Sequence, residues 1–138
     1  MPATISLSRS GPTTSRWHPR SSRRPTTRER SFGFTPVYAG VARPWHIGTL
    51  YHRDRTLPPL LLKALRAEGD LVVGDNEPYA VSDLTDYTLP VHGEARGLVN
   101  TGIEIRQDLL ADQTSQHAWA ERLARILSEI AIQLQSGR

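Results

Sequence analysis

No cysteine occurs among the 138 residues, which excludes a disulfide framework and a thiolate metal centre and suits a reducing compartment. No run of about 18 apolar residues is present to form a membrane-spanning helix, and the first thirty residues lack the apolar stretch of a secretory signal. The chain is therefore expected to be soluble and cytoplasmic, with no membrane partner. Also missing are a Gly-x-Ser-x-Gly nucleophile elbow, a phosphate-cradling glycine loop and a His-Glu-x-x-His pair. A hydrolytic reading would then need a metal, yet His18, His46, His52, His92 and His117 form no recognisable zinc triad.

Acidic side chains are scarce at one end only. Residues 1–30 hold seven arginines against the single acid Glu29, a charge of +6, whereas residues 31–138 carry −3. The basic pI thus belongs to the N-terminal segment. That segment, "MPATISLSRSGPTTSRWHPRSSRRPTTRER", is rich in Ser, Thr, Pro and Arg and has few aliphatic side chains, too few to offset the entropy of ordering it. It is expected to be a disordered tail. Its arginines suit phosphate backbones or an acidic partner, but composition alone equally describes a solvated tail or a transit peptide without a helical period. Nucleic acid is not the expected partner.

From Phe34 the texture changes, and residues 31–138 have the length and composition of one domain. "HIGTLY" (46–51), "DLVVGD" (70–75) and "GIEIRQ" (102–107) are predicted strands, with a helix at 57–69 between the first two. Pro58 and Pro59 fit that helix's first turn and Gly69 its end. A last helix is predicted from near Asp112 or Thr114 to about Gln135, with Trp119, Leu123, Ile126, Leu127, Ile130 and Leu134 forming one apolar stripe. This order implies an α/β sheet with helices against its faces. The loop at 75–101 is long and dense in Asp75, Asn76, Glu77, Tyr79, Asp86, Tyr87, His92, Glu94 and Arg96, which makes it the binding-loop candidate.

Several pairs carry possible chemistry. Glu104 and Arg106 are two apart on a strand and share one face, either as a general base beside a guanidinium or as an ion pair closing a strand end. His92 and Glu94 read as an acid/base pair, as metal ligands, or as a solvated loop pair. His117 and Glu121 are four apart on a helix, a reachable metal spacing, but fall on its polar side. Arg43, beside His46, suits a substrate carboxylate.

Taken together, "FTPVYAGVARPWHIGTLYHRD" (34–54), "VGDNEPYAVSDLTDYTLPVHGEARGL" (73–98) and "IEIRQDLLAD" (103–112) resemble the C-terminal half of the N-formylglutamate amidohydrolase family. The resemblance implies a zinc-carboxypeptidase-like α/β/α fold and zinc-dependent hydrolysis of N-formylglutamate, an N-acyl amino acid, to formate and glutamate in histidine catabolism. It places the catalytic base at Glu104, oriented by Arg106, with Arg43, Asn76, Glu77, His92 and Arg96 on a dicarboxylate substrate. It also implies zinc ligands in an N-terminal half that this chain does not display, and a histidine where Phe32 stands. On that basis residues 31–138 are expected to be a partial sheet domain of a truncated, inactive member that self-associates through an exposed sheet edge. Residues 1–30 are expected to be unrelated to the family, as an out-of-frame translation would be. The alternative is a non-catalytic interaction protein using the basic tail.

Overall fold

A computed structural model describes residues 3–7, 33–84 and 86–137. Along the chain lie β1 (Ala3–Leu7), β2 (Gly33–Phe34), β3 (Val37–Tyr38), β4 (Val41–Ala42), β5 (Ile47–Leu50), α1 (Pro58–Ala67), β6 (Val73–Asp75), β7 (Val99–Arg106) and α2 (Gln113–Ser136). The expected strands and helices are all present. The stretch Ala3–Leu7, inside the segment read as a tail, forms β1; the rest of that tail, apart from its first two residues, runs through 8–32, and all of it lies outside the described residues, with the nucleic-acid reading it carried.

The main sheet has the order β1-β7-β5-β6, and β2 joins the β1 side of β7. β5 and β6 run parallel and are connected by α1, a βαβ unit, while β7 lies antiparallel to β5. Side-chain alternation divides β5 and β7 between two environments. Ile47, Ile103 and Ile105 pack with Leu57, Leu61 and Leu65 of the α1 region and with Ile126 and Ile130 of α2. Both helices therefore cover one face, where the sequence suggested helices on both. Gly48, Leu50, Gly102 and Glu104 look the other way, and there Leu50 packs with Val81 and Leu89 from the long loop. Among the described residues that second face is covered by loop and short irregular turns of helix at Thr88–Gly93 and Glu94–Arg96.

Local signals explain most boundaries. α1 opens on consecutive prolines and ends at Gly69, whose φ of +80° suits the residue after a helix C-terminus. Asp112 caps α2 by accepting from the Ser115 N–H at 2.8 Å. Arg122 and Arg125 of α2 reach Asp70 and Glu68 just past α1, at 2.7 and 2.9 Å, and so fasten the two helices at one end. No helix among the described residues is long and apolar enough to cross a membrane.

The strand expected over 70–75 begins only at Val73. The His46 imidazole is the reason: its Nδ1 accepts the Val72 N–H at 3.0 Å while the His46 N–H donates to the Val72 carbonyl at 2.8 Å, so a side chain takes the place of the next ladder bond. The sequence reading also missed the β3–β4 hairpin. Its two-residue turn is Ala39-Gly40 with φ of +48° and +79°, both positive as a type I′ turn demands.

Gly74, Gly48 and Glu104 are register neighbours across β6, β5 and β7 on the loop-covered face. The Glu77 carbonyl oxygen lies over the two glycines: a Cβ on Gly48 would sit 2.2 Å from it, and one on Gly74 would sit 2.5 Å away. No rotamer relieves a clash between a Cβ and a backbone oxygen. Gly48→Ala is accordingly expected to cost about 1–3 kcal/mol by overpacking and to displace residues 75–79, read as a lower urea midpoint with an unchanged slope.

Candidate active site

Glu104 is the carboxylate that the fold buries. It projects from the middle strand β7 beside the two glycines, is only 7% exposed, and leaves its Oε2 without a hydrogen-bond partner among the described residues. Glu104 lines a cleft of about 490 Å³ walled by Leu50, Tyr79, Val81 and Asp86. Burial raises the Glu104 pKa, the nearby Asp86 carboxylate adds to the rise, and the Arg43 charge opposes it. A buried carboxylate of raised basicity beside a cleft has the local chemistry of a general base.

Arg43 does not itself line the cleft, but it is close enough for its charge to act on Glu104. The residue is 9% exposed, and its guanidinium lies 4.6 Å from the Tyr38 ring centroid and 5.0 Å from that of Tyr79, a wall of the cleft. Among the described residues it has no carboxylate within ion-pair distance, and its side-chain hydrogen bond to Thr35 Oγ1 is long at 3.4 Å. A guanidinium so far removed from water without an anion is costly, and its planar fork fits a carboxylate.

The expected orientation of Glu104 by Arg106 is corrected. Arg106 Nε donates to Asp108 Oδ1 at 2.7 Å, and its Nη1 donates to the carbonyls of Arg43 and Trp45, both at 3.3 Å. At the strand end a carboxylate two residues on and two loop carbonyls offer Arg106 better partners than a neighbour along the face. Its effect on the site is indirect, through the segment that carries Arg43. The same pairing, led by the hydrogen bonds from Arg106, holds Asp108 below the usual carboxylate pKa.

The long loop splits into two parts with different work. Asn76, at φ +53°, accepts the Tyr51 N–H on Oδ1 at 2.8 Å and donates its own N–H to Thr49 at 2.9 Å, so it anchors the loop and does not face the cleft. Glu77 contributes its carbonyl to the crossing over the glycines while its side chain is exposed. Further on, Glu94 turns to the segment after β5: it accepts from the backbone N–H groups of Arg53 at 2.5 Å and Asp54 at 3.1 Å, and lies 3.2 Å from His52 Nδ1. Burial pushes its pKa up, but these hydrogen bonds together outweigh burial and hold it low. Its histidine is thus His52, not His92, which is exposed and meets Tyr87 edge-on at 5.4 Å. Arg96 is likewise exposed, and neither it nor His92 lines the cleft. His117 and Glu121 are exposed on α2.

Of the residues singled out from sequence, Glu104 lines the cleft and Arg43 packs on its Tyr79 wall, while Asn76, Glu77 and Arg106 hold the surrounding backbone. The residue overlooked was Tyr38, and the signal that could have found it is the Tyr-Ala-Gly-Val hairpin turn. Among the described residues no three His, Asp or Glu side chains converge to hold a metal ion.

A buried strand carboxylate beside a loop-walled cleft on an α/β sheet, with an arginine charge nearby, defines a candidate active site. The model of the N-formylglutamate amidohydrolase family matches residues 16–111, and the chain belongs to that family. The match contains Arg43 and Glu104 and opens inside the segment expected to be unrelated to the family, so residues 16–30 fall within it. The crystal structure of gene product Atu2144 from Agrobacterium tumefaciens is similar, with 38% identity and a TM-score of 0.68 over 75% of this chain. The chain spans 40% of the length of that protein. No curated protein matches.

The raised pKa of Glu104 has a sign that stability can report. The native state holds this proton more tightly than the unfolded chain, so the favourable term is fully present below the ordinary value of 4.5 and is lost as pH rises through the raised value. Glu104→Gln, neutral throughout, should therefore be more stable than the wild type at about pH 7 and lose that advantage at about pH 4. Urea midpoints of both proteins at the two pH values provide the check.

Proposed function

We propose that this chain carries the base and the carboxylate-binding residue of an amidohydrolase acting on N-formylglutamate or a related N-acyl amino acid. The observation that carries the reading is Glu104 beside a cleft, its buried Oε2 without a hydrogen-bond partner among the described residues, with the buried Arg43 guanidinium, in no ion pair among the described residues, packed on Tyr79 of the cleft wall. Family membership supports the same chemistry.

In this reading Arg43 binds a substrate carboxylate and places the amide carbonyl by Glu104. Glu104 takes a proton from water as the water oxygen bonds to the carbonyl carbon. The same proton passes to the amide nitrogen as the C–N bond breaks, leaving formate and the free amino acid when the acyl group is formyl. Burial brings the Glu104 pKa nearer to neutral, which suits both the uptake and the return of the proton. Zinc enters the proposal as the cofactor implied by the family resemblance, polarising the carbonyl and the water when bound. The described residues do not fit it, so no step here is routed through it.

The test is N-formyl-L-glutamate binding by NMR titration of the full chain, with formate release assayed with and without added zinc. Arg43→Gln should weaken binding by about tenfold or more, as expected for loss of a charge-assisted bidentate contact. Glu104→Gln should retain binding and lose any formate release. Binding unaffected by Arg43→Gln, or release that survives Glu104→Gln, would sink the reading.

A further inference from the structure

We infer that Tyr38 and Tyr79 form an aromatic clamp that sets the Arg43 guanidinium and so determines selectivity for a carboxylate over a neutral isostere. This deepens the proposed function and rests on the reading that Arg43 takes the substrate carboxylate.

The argument begins with how few polar contacts hold Arg43. Its guanidinium makes one long side-chain hydrogen bond, to Thr35 Oγ1 at 3.4 Å, and no ion pair among the described residues. What holds it instead are ring faces, Tyr38 at 4.6 Å and Tyr79 at 5.0 Å, with Phe34 more distant at 5.9 Å. Ring faces attract the cation without hydrogen-bonding its N–H groups, so apart from the Thr35 bond these are left for an anion. A carboxylate partner inside the protein would have consumed them. The two tyrosines come from separate elements: Tyr38 is on the β3–β4 hairpin, and Tyr79 is on the loop that crosses Gly48 and Gly74 and walls the Glu104 cleft.

Tyr38 is 65% exposed, so replacing it removes little core and its role is separable from folding. The contact with Arg43 is made by the Tyr38 ring. Tyr38→Phe should therefore behave as wild type, whereas Tyr38→Leu should leave Arg43 present but loosely aimed.

The experiment titrates the full chain by NMR with glutarate and, separately, with its neutral diamide glutaramide. The wild type should prefer glutarate. Tyr38→Leu should reduce that preference by roughly three- to tenfold, the range of a partly desolvated cation–π contact, and Tyr38→Phe should restore it. Tyr79→Leu provides an independent variant with the same expected direction. Arg43→Gln should abolish the preference altogether. If Arg43→Gln does so while both leucine variants keep the wild-type ratio, the clamp is overturned and the carboxylate reading stands. If Arg43→Gln also keeps the ratio, the carboxylate reading itself fails and the clamp with it.

Discussion

The geometry of the site depends on a close backbone crossing. Glu104 sits in register with Gly48, and Gly48 with Gly74, so at that level β5 and β6 present no side chain on its face. The Glu77 carbonyl occupies the space this leaves, nearer to both positions than any Cβ would permit. The loop is drawn down onto the sheet there, and only then can Tyr79 and Val81 wall the cleft into which Glu104 opens. Asn76 fastens the entry to this crossing through two backbone-directed hydrogen bonds. A glutamate on a strand flanked by ordinary side chains would not have this enclosure.

Two glutamates in neighbouring parts of the sequence show how environment assigns roles. Glu94 and Glu104 are both largely removed from water, yet Glu94 meets backbone N–H donors and an imidazole and is held ionised, while Glu104 Oε2 has no partner among the described residues and the group is pushed toward its neutral form. The first is a fastening between the segment after β5 and the end of the long loop. The arginines divide in the same way: Arg106 has its donors engaged by Asp108 and by carbonyls, whereas Arg43 is held by rings and one long hydrogen bond to Thr35. Arg106 is connected to the site by its bond to the Arg43 carbonyl, which couples the end of β7 to the segment entering β5.

Placing both helices on one face of the sheet gives the two faces different physical characters. One is a conventional aliphatic core, where isoleucines of β5 and β7 meet leucines of α1 and isoleucines of α2. The other is covered by loop, with a small cluster of Leu50, Val81 and Leu89 beside the polar cleft. The stability of the sheet can thus rest on the helical face, and the loop face is free to carry buried charge. That arrangement covers 40% of the length of the similar Agrobacterium protein.

Much of this was legible in the residues because it is set by local periodicity. Strands, helices, the Asp112 cap and the Gly69 stop follow from neighbours in sequence, and the apolar stripe of α2 told which side would be buried. The period of two along β7 correctly put Glu104 and Arg106 on one face, but periodicity assigns a direction and not a partner. Tertiary structure decided that Arg106 would turn to Asp108, that Glu94 would meet His52 in place of His92, and that an imidazole would end the β5–β6 ladder at Val73. It also decided that Tyr38 and Tyr79, 41 positions apart in the sequence, would meet at Arg43. Each of these is a contact between distant segments, fixed by competition among donors and acceptors that only a folded chain brings within reach.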